Sequence, residues 1–272
     1  MDLLPAWSEP FVEGAANRLQ RAAGLFQVDR AWALDGATGR GIRVAIVDSG
    51  IETTHPLVGG RVVESVAVRL QEGEPIIEPD DAGDLFGHGT ACAAIIAGLA
   101  PDVELVSVRV LGADLKGKGV AFAAGLGWAI ENRVNVANLS LSSKSEALYP
   151  TFHDIADRAY FSNVLLVSAA NNVPGPSYPS LFSSVISVAA HAEADPRRIY
   201  YNPDPPVEFG AWGVDVPVAW KDGGSMVATG NSFAAPHIAA LAALILSKHP
   251  QLTPFEVKAV LAAIADNPRD PS

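Results

Sequence analysis

Gly230-Asn231-Ser232-Phe233-Ala234-Ala235-Pro236-His237 runs straight into the apolar segment Ile238–Ser247. A glycine and a polar residue come first, then a serine where a long helix is predicted to start. That position sets a hydroxyl among free backbone N–H groups at the positive end of a helix dipole. A nucleophile that must build an oxyanion beside itself suits the spot. On this octapeptide alone, Ser232 reads equally well as an ordinary N-cap. The rest of the chain decides between the two.

The chain has 272 residues, 49% of them hydrophobic and 18% charged, enough for one α/β domain with an ample core. Its formal net charge of −11 argues against nucleic acid and anionic membrane surfaces as partners. A single cysteine, Cys92, rules out an intramolecular disulfide and is compatible with a reducing compartment. No apolar run reaches membrane-spanning length, and the start, Met1 to Trp7, lacks the basic and apolar regions of a signal peptide. With Met1 as the native start, the expected location is the cytoplasm.

Upstream of the opening stretch, strands and helices alternate. Arg43–Asp48, Val103–Val110, Val134–Leu139, Val164–Ala169 and Val185–Ala189 read as buried strands, with Val214–Val218 a further short one. Thr90–Gly98, Val120–Asn132, Tyr149–Phe161, the segment from Ser232 onward and Pro254–Ala265 read as helices, the last on the surface. Glu72–Phe86 and Asp195–Glu208 read as loops, and the tail from Asp266 as frayed. The alternation predicts an α/β fold, a three-layer sandwich with a mostly parallel central sheet and helices on both faces. Residues 28–272 form one domain, preceded by an N-terminal extension at 1–27 with an amphipathic stretch near Asn17–Phe26.

Functional groups in such sheets gather beyond the carboxyl ends of the strands. Asp48 ends a strand too apolar to hold a carboxylate within it. His88 lies in Gly87-His88-Gly89-Thr90, flanked by glycines that admit backbone on both sides. An aspartate, a histidine and a serine, each at a loop–element junction, make an acid–base–nucleophile relay: Asp48 fixes the imidazole tautomer, and His88 takes the Ser232 proton.

Val44 to Ile51 with His55-Pro56, Gly87-His88-Gly89-Thr90 and Gly230 to His237 resemble the three signature blocks of the subtilisin-like serine proteases. They stand in order, with Asp48, His88 and Ser232 separated by 40 and 144 residues. The similarity extends through Val110-Leu111-Gly112, Asn138–Leu141 and Leu244–Pro250, covering roughly residues 28 to 265.

The resemblance implies a serine endopeptidase acting on a protein or peptide substrate through an acyl-enzyme. A dedicated processing protease is one alternative, and a non-catalytic peptide-binding homologue another. It implies Asn171 as the oxyanion amide, with Asn172 its rival. It also implies substrate pairing as a strand between Leu115, Lys116 and Gly117 on one side and Ser140, Leu141 and Ser142 on the other. Ser142-Ser143 replaces the family's usual glycine pair and is expected to narrow the pocket for the residue before the scissile bond. Asn231 replaces the usual threonine, its amide being expected to reach the oxyanion region.

The five residues Gly98–Asp102 leave no room for the family's high-affinity calcium loop, so no metal is expected there, and no cofactor is expected for the protein. Asp80, Asp81 and Asp84 read as a solvated acidic loop, with a weak cation and a preference for basic substrate residues as alternatives. Cys92, one turn after His88, reads as a buried small residue whose thiol lies under the histidine. Leu3–Trp7 resembles an extension that folds over the active site. The sequence gives no oligomeric state.

Overall fold

The computed structural model describes residues 28–267. Its core is a nine-stranded sheet, and β1 (Arg43–Asp48) is the strand from which the layers are easiest to read. β1 is an apolar run, so alternate side chains enter opposite layers. Val44 and Ile46 join the cluster formed with α1 (Arg30–Leu34), α2 (His88–Leu99), α5 (Asn231–Lys248) and α6 (Pro254–Ala263). Ala45 and Val47 face α3 (Gly119–Glu131) and α4 (Tyr149–Phe161).

The remaining strands are β2 (Val62–Gln71), β3 (Glu74–Pro79), β4 (Glu104–Arg109), β5 (Val136–Leu139), β6 (Leu165–Ala169), β7 (Ile186–His191), β8 (Ile199–Tyr201) and β9 (Phe209–Trp212). Their order across the sheet is β3-β2-β4-β1-β5-β6-β7-β9-β8. The seven strands from β2 to β9 in that order pair in parallel, and only the edge strands β3 and β8 are antiparallel. A separate hairpin joins β10 (Val216–Trp220) and β11 (Gly224–Ala228). Asp48, Arg109, Leu139 and Ala169 therefore end neighbouring strands at one rim. β1 sits there between β4, added on one side, and β5, where the chain begins to extend the other side. Open α/β sheets place their sites at such a reversal.

Several predicted elements move. Glu74–Pro79, predicted as loop, is the edge strand β3. Its Pro75 and Pro79 are tolerated because an edge strand need not donate on its outer side. β2, β8, β9 and β11 were not predicted, and the predicted strand at 214–218 is β10, shifted to 216–220. α6 is less a surface helix than expected, since Val257, Val260 and Leu261 are fully buried. The tail is anchored as far as it is described. Asp266 pairs with Arg30 at 2.6 Å and accepts from the Ile199 N–H, and Asn267 accepts from the Tyr201 N–H at 2.8 Å. The N-terminal extension and its amphipathic stretch lie outside the described residues. Among the described residues no helix is long and apolar enough to cross a membrane.

Candidate active site

Asp48 is fully buried at the end of β1, and both its carboxylate oxygens lie 2.9 Å from His88 Nδ1. Oδ1 also accepts the Ser49 N–H at 2.7 Å. On the far side of the ring, His88 Nε2 is 3.0 Å from Ser232 Oγ. The only arrangement satisfying both ends has His88 donating Nδ1–H to the carboxylate and Ser232 donating its hydroxyl to Nε2. The resulting line, carboxylate to imidazole to hydroxyl, is unbroken.

Two glycines let α2 come this close. Gly87 caps the helix with a left-handed φ of 119°, and a Cβ there would meet the Trp220 ring at 2.6 Å. A Cβ on Gly89 would lie 2.0 Å from the Gly50 carbonyl oxygen, so any side chain would push His88 away from β1. Ahead of and within the first turn, Asp84 and Ser49 accept backbone N–H groups. Asp84 accepts from the N–H groups of Phe86, Gly87 and Thr90 and from the hydroxyls of Ser49 and Thr90, at 2.6–2.9 Å. Ser49 Oγ accepts the Gly89 N–H at 3.1 Å. A carboxylate at this helix end is also favoured by the dipole.

Burial opposes a charged imidazole at His88, yet the Asp48 carboxylate outweighs it, with Asp84 adding to the effect. The net result is a pKa above the ordinary 6.5. The neutral ring is the base, so kcat/KM for a peptide substrate should rise with pH through a midpoint above 6.5. A midpoint at or below that value would contradict the arrangement. Stability runs the opposite way. Folding favours the protonated ring, so this contribution is complete below the unfolded-state pKa and is lost as pH rises through the folded one.

The chain matches the subtilase family model over residues 39–271. This chain belongs to the subtilase family. It is 34% identical to subtilisin BL of Lederbergia lenta over 234 residues, covering 82% of each chain. It is 31% identical to subtilisin DY of Bacillus licheniformis over 89% of this chain and 90% of that one. A thermostable alkaline protease of Halalkalibacterium halodurans is 33% identical, and the chain spans 62% of its length. Among solved structures, a cold-adapted subtilisin-like serine proteinase superposes with a TM-score of 0.70 at 28% identity, over 89% of this chain and 93% of that one. These similarities make the chain a serine endopeptidase on the subtilisin fold.

The two candidate oxyanion amides, Asn171 and Asn172, are held differently. Asn171 turns its Oδ1 back onto the Val173 N–H at 2.8 Å, closing a local Asx turn. Asn172, one residue on, accepts the Asn231 N–H on its Oδ1 at 2.9 Å. A Cβ on Gly230 would sit 3.6 Å from Asn172 Nδ2, which places that donor beside the start of α5. Asn172 is thus the amide tied to the start of α5, and Asn171 the one folded back on its own turn. The Asn231 amide, expected to reach the oxyanion region, is engaged with backbone instead. Its Nδ2 donates to the Ala170 and Asn171 carbonyls at 3.1 and 3.3 Å, and its Oδ1 accepts the Ala190 N–H at 2.9 Å. It ties the asparagine loop to β7.

All seven predicted substrate-binding residues, Leu115, Lys116, Gly117, Ser140, Leu141, Ser142 and Ser143, line one cavity of about 450 Å³ whose floor adds Leu111 and Phe122. A smaller cavity of about 180 Å³ adjoins Ser232 and is walled by Leu115, Ser142, Ala169, Ala170, Asn171 and Asn172. Ser142 reaches both; Ser143 does not reach the smaller one. Its N–H and carbonyl are both taken by Tyr178, at 2.9 and 2.8 Å, so a paired substrate strand has no partner beyond Ser142. Leu115, on the wall of both cavities, holds a left-handed φ of 57°, an unusual state for leucine.

Two of the three carboxylates of the acidic loop are engaged, while Asp81 stays exposed as expected. Asp80 forms two 2.7 Å bonds with Arg109, and its side chain is 2% exposed. Asp84 is occupied as the helix cap. Neither offers a free carboxylate to a basic substrate residue or a cation. Among the described residues, the one cluster with metal-ligand spacing is Asp48, His88 and Cys92, within 4.8 Å of one another. Asp48 and His88 are engaged with each other there. Burial and the Asp48 charge push the Cys92 thiol well above its ordinary range, so it stays protonated. His237 is structural. Burial lowers its pKa to about 4, and its Nδ1–H donates to the Phe233 carbonyl at 2.9 Å.

Proposed function

We propose that this subtilase hydrolyses peptide bonds in extended substrates through an acyl-enzyme on Ser232. The observation that carries the reading is the continuous hydrogen-bonded line from Asp48 through His88 to Ser232 Oγ. As Ser232 Oγ attacks the scissile carbonyl carbon, its proton passes to His88 Nε2. The imidazolium formed is stabilised by Asp48, which keeps Nδ1–H pointed at itself.

The oxyanion lies between Asn172 Nδ2 and the Ser232 N–H, which has no intrahelical acceptor in the first turn of α5. His88 then gives its proton to the leaving amine, which departs. A water, deprotonated by the same ring, attacks the acyl carbon and releases Ser232.

Substrate pairs as a strand with Leu115–Gly117 and Ser140–Ser142. The smaller cavity receives a small or slender side chain next to the scissile bond, and the larger one a bulky side chain further toward the substrate N-terminus. A fluorophosphonate probe should label Ser232 stoichiometrically, with labelling lost in Ser232→Ala. Folded protein that takes no label would refute the acyl-enzyme reading. A peptide-library cleavage profile tests the side-chain preferences; preference for aromatic residues directly before the cleaved bond would refute the small-cavity assignment.

A further inference from the structure

The relay uses the hydroxyl and the N–H of Ser232 but not its carbonyl, and that carbonyl has an unusual environment. In an α-helix it would accept the N–H of residue 236. Here residue 236 is Pro236, inside α5, and proline has no N–H to give. The helix is buried from Phe233 to Leu246, so an unpaired carbonyl at this end would be costly.

Ser140, just past the end of β5, donates its hydroxyl to the Ser232 carbonyl at 2.7 Å. The same hydroxyl accepts Asn138 Nδ2 at 3.0 Å and the Cys92 thiol at 3.3 Å. Cys92 Sγ also lies 3.7 Å from the Ser232 carbonyl oxygen. All of these side chains are buried: Asn138 and Cys92 at 0% and Ser140 at 7% exposure. With the Cys92 thiol protonated, the sulfur is a donor in this cluster. Side chains from α2 and the end of β5 thus converge on one backbone oxygen of the first turn of α5.

We propose that Ser140 is a positioning residue for the nucleophile. Pro236 frees the Ser232 carbonyl, and the Ser140 hydroxyl, held by Asn138 and Cys92, fixes it. Fixing that carbonyl fixes ψ of Ser232 and the first helical turn, and so where Oγ and the oxyanion-binding N–H point. Small misplacements of reacting groups cost large factors in rate. The inference rests on Ser232 being the nucleophile, and the parent protein's labelling at Ser232 checks that separately.

The test is a double-mutant cycle of parent, Ser140→Ala, Pro236→Ala and Ser140→Ala/Pro236→Ala. Steady-state kcat and KM are measured on one peptide, with kcat normalised to fluorophosphonate-titrated sites so that only competent protein is counted. Ser140→Ala should lower kcat about 10- to 100-fold with KM within about twofold. Pro236→Ala restores a backbone donor to the Ser232 carbonyl, so the double variant should recover most of that loss. An unchanged kcat in Ser140→Ala, or a loss that Pro236→Ala does not relieve, would overturn the proposal. If Ser140→Ala does not fold, Ser140→Cys, a weaker donor, should give a kcat below the parent's. A kcat equal to the parent's would overturn the proposal equally.

Discussion

Ser232→Ala should lower kcat by about 10⁶-fold while the protein stays folded, and His88→Ala should do nearly the same; in subtilisin, losing either the nucleophile or the base costs about this much. The size follows from the geometry. Ser232 Oγ and His88 Nε2 are 3.0 Å apart and act as one unit, so removing either removes the attack, and the double variant loses little more. Asp48→Ala is milder, about 10⁴–10⁵, because His88 remains but loses the partner that sets its tautomer and stabilises its charge. The measurement is kcat on a chromogenic peptide, with far-ultraviolet circular dichroism as the folding control. A Ser232→Ala protein retaining more than about one part in a thousand of parent kcat would refute the assignment.

Asn172→Ala should lower kcat by about 10²–10³, the loss that follows removal of one oxyanion donor in subtilisin. Asn171→Ala costs about tenfold or less, because it breaks a neutral hydrogen bond of an exposed turn. The two substitutions discriminate cleanly between adjacent asparagines of the same chemistry. The effect of Asn172→Ala should fall on kcat with KM nearly unchanged, since the oxyanion exists only after attack. The opposite order of effects would return the role to Asn171.

The parts of this site that the sequence shows are those written within a few residues. β1 is legible because an apolar run ends in a carboxylate, and α2 because glycines flank a histidine ahead of small residues. α5 is legible because Gly230-Asn231-Ser232 precedes a long apolar helix. The edge strand β3 is not legible, because Glu74-Pro75-Ile76-Ile77-Glu78-Pro79 carries two prolines and two acids. Only its pairing with β2 makes it a strand. Asp80 and Asp84 read locally as one solvated loop, yet one is bound by Arg109 from another strand and the other by a helix end.

By itself the sequence determined the α/β fold class, the three relay residues and their order, since periodicity and junction chemistry are local properties. Tertiary structure alone decided which asparagine is tied to the start of α5, what Asn231 holds, and that Ser140 meets the carbonyl Pro236 leaves open. Each of those is a hydrogen bond between residues far apart in the chain, or a choice between neighbours made by backbone direction. A chain of residue types does not carry that information until the parallel sheet has brought the strand ends together.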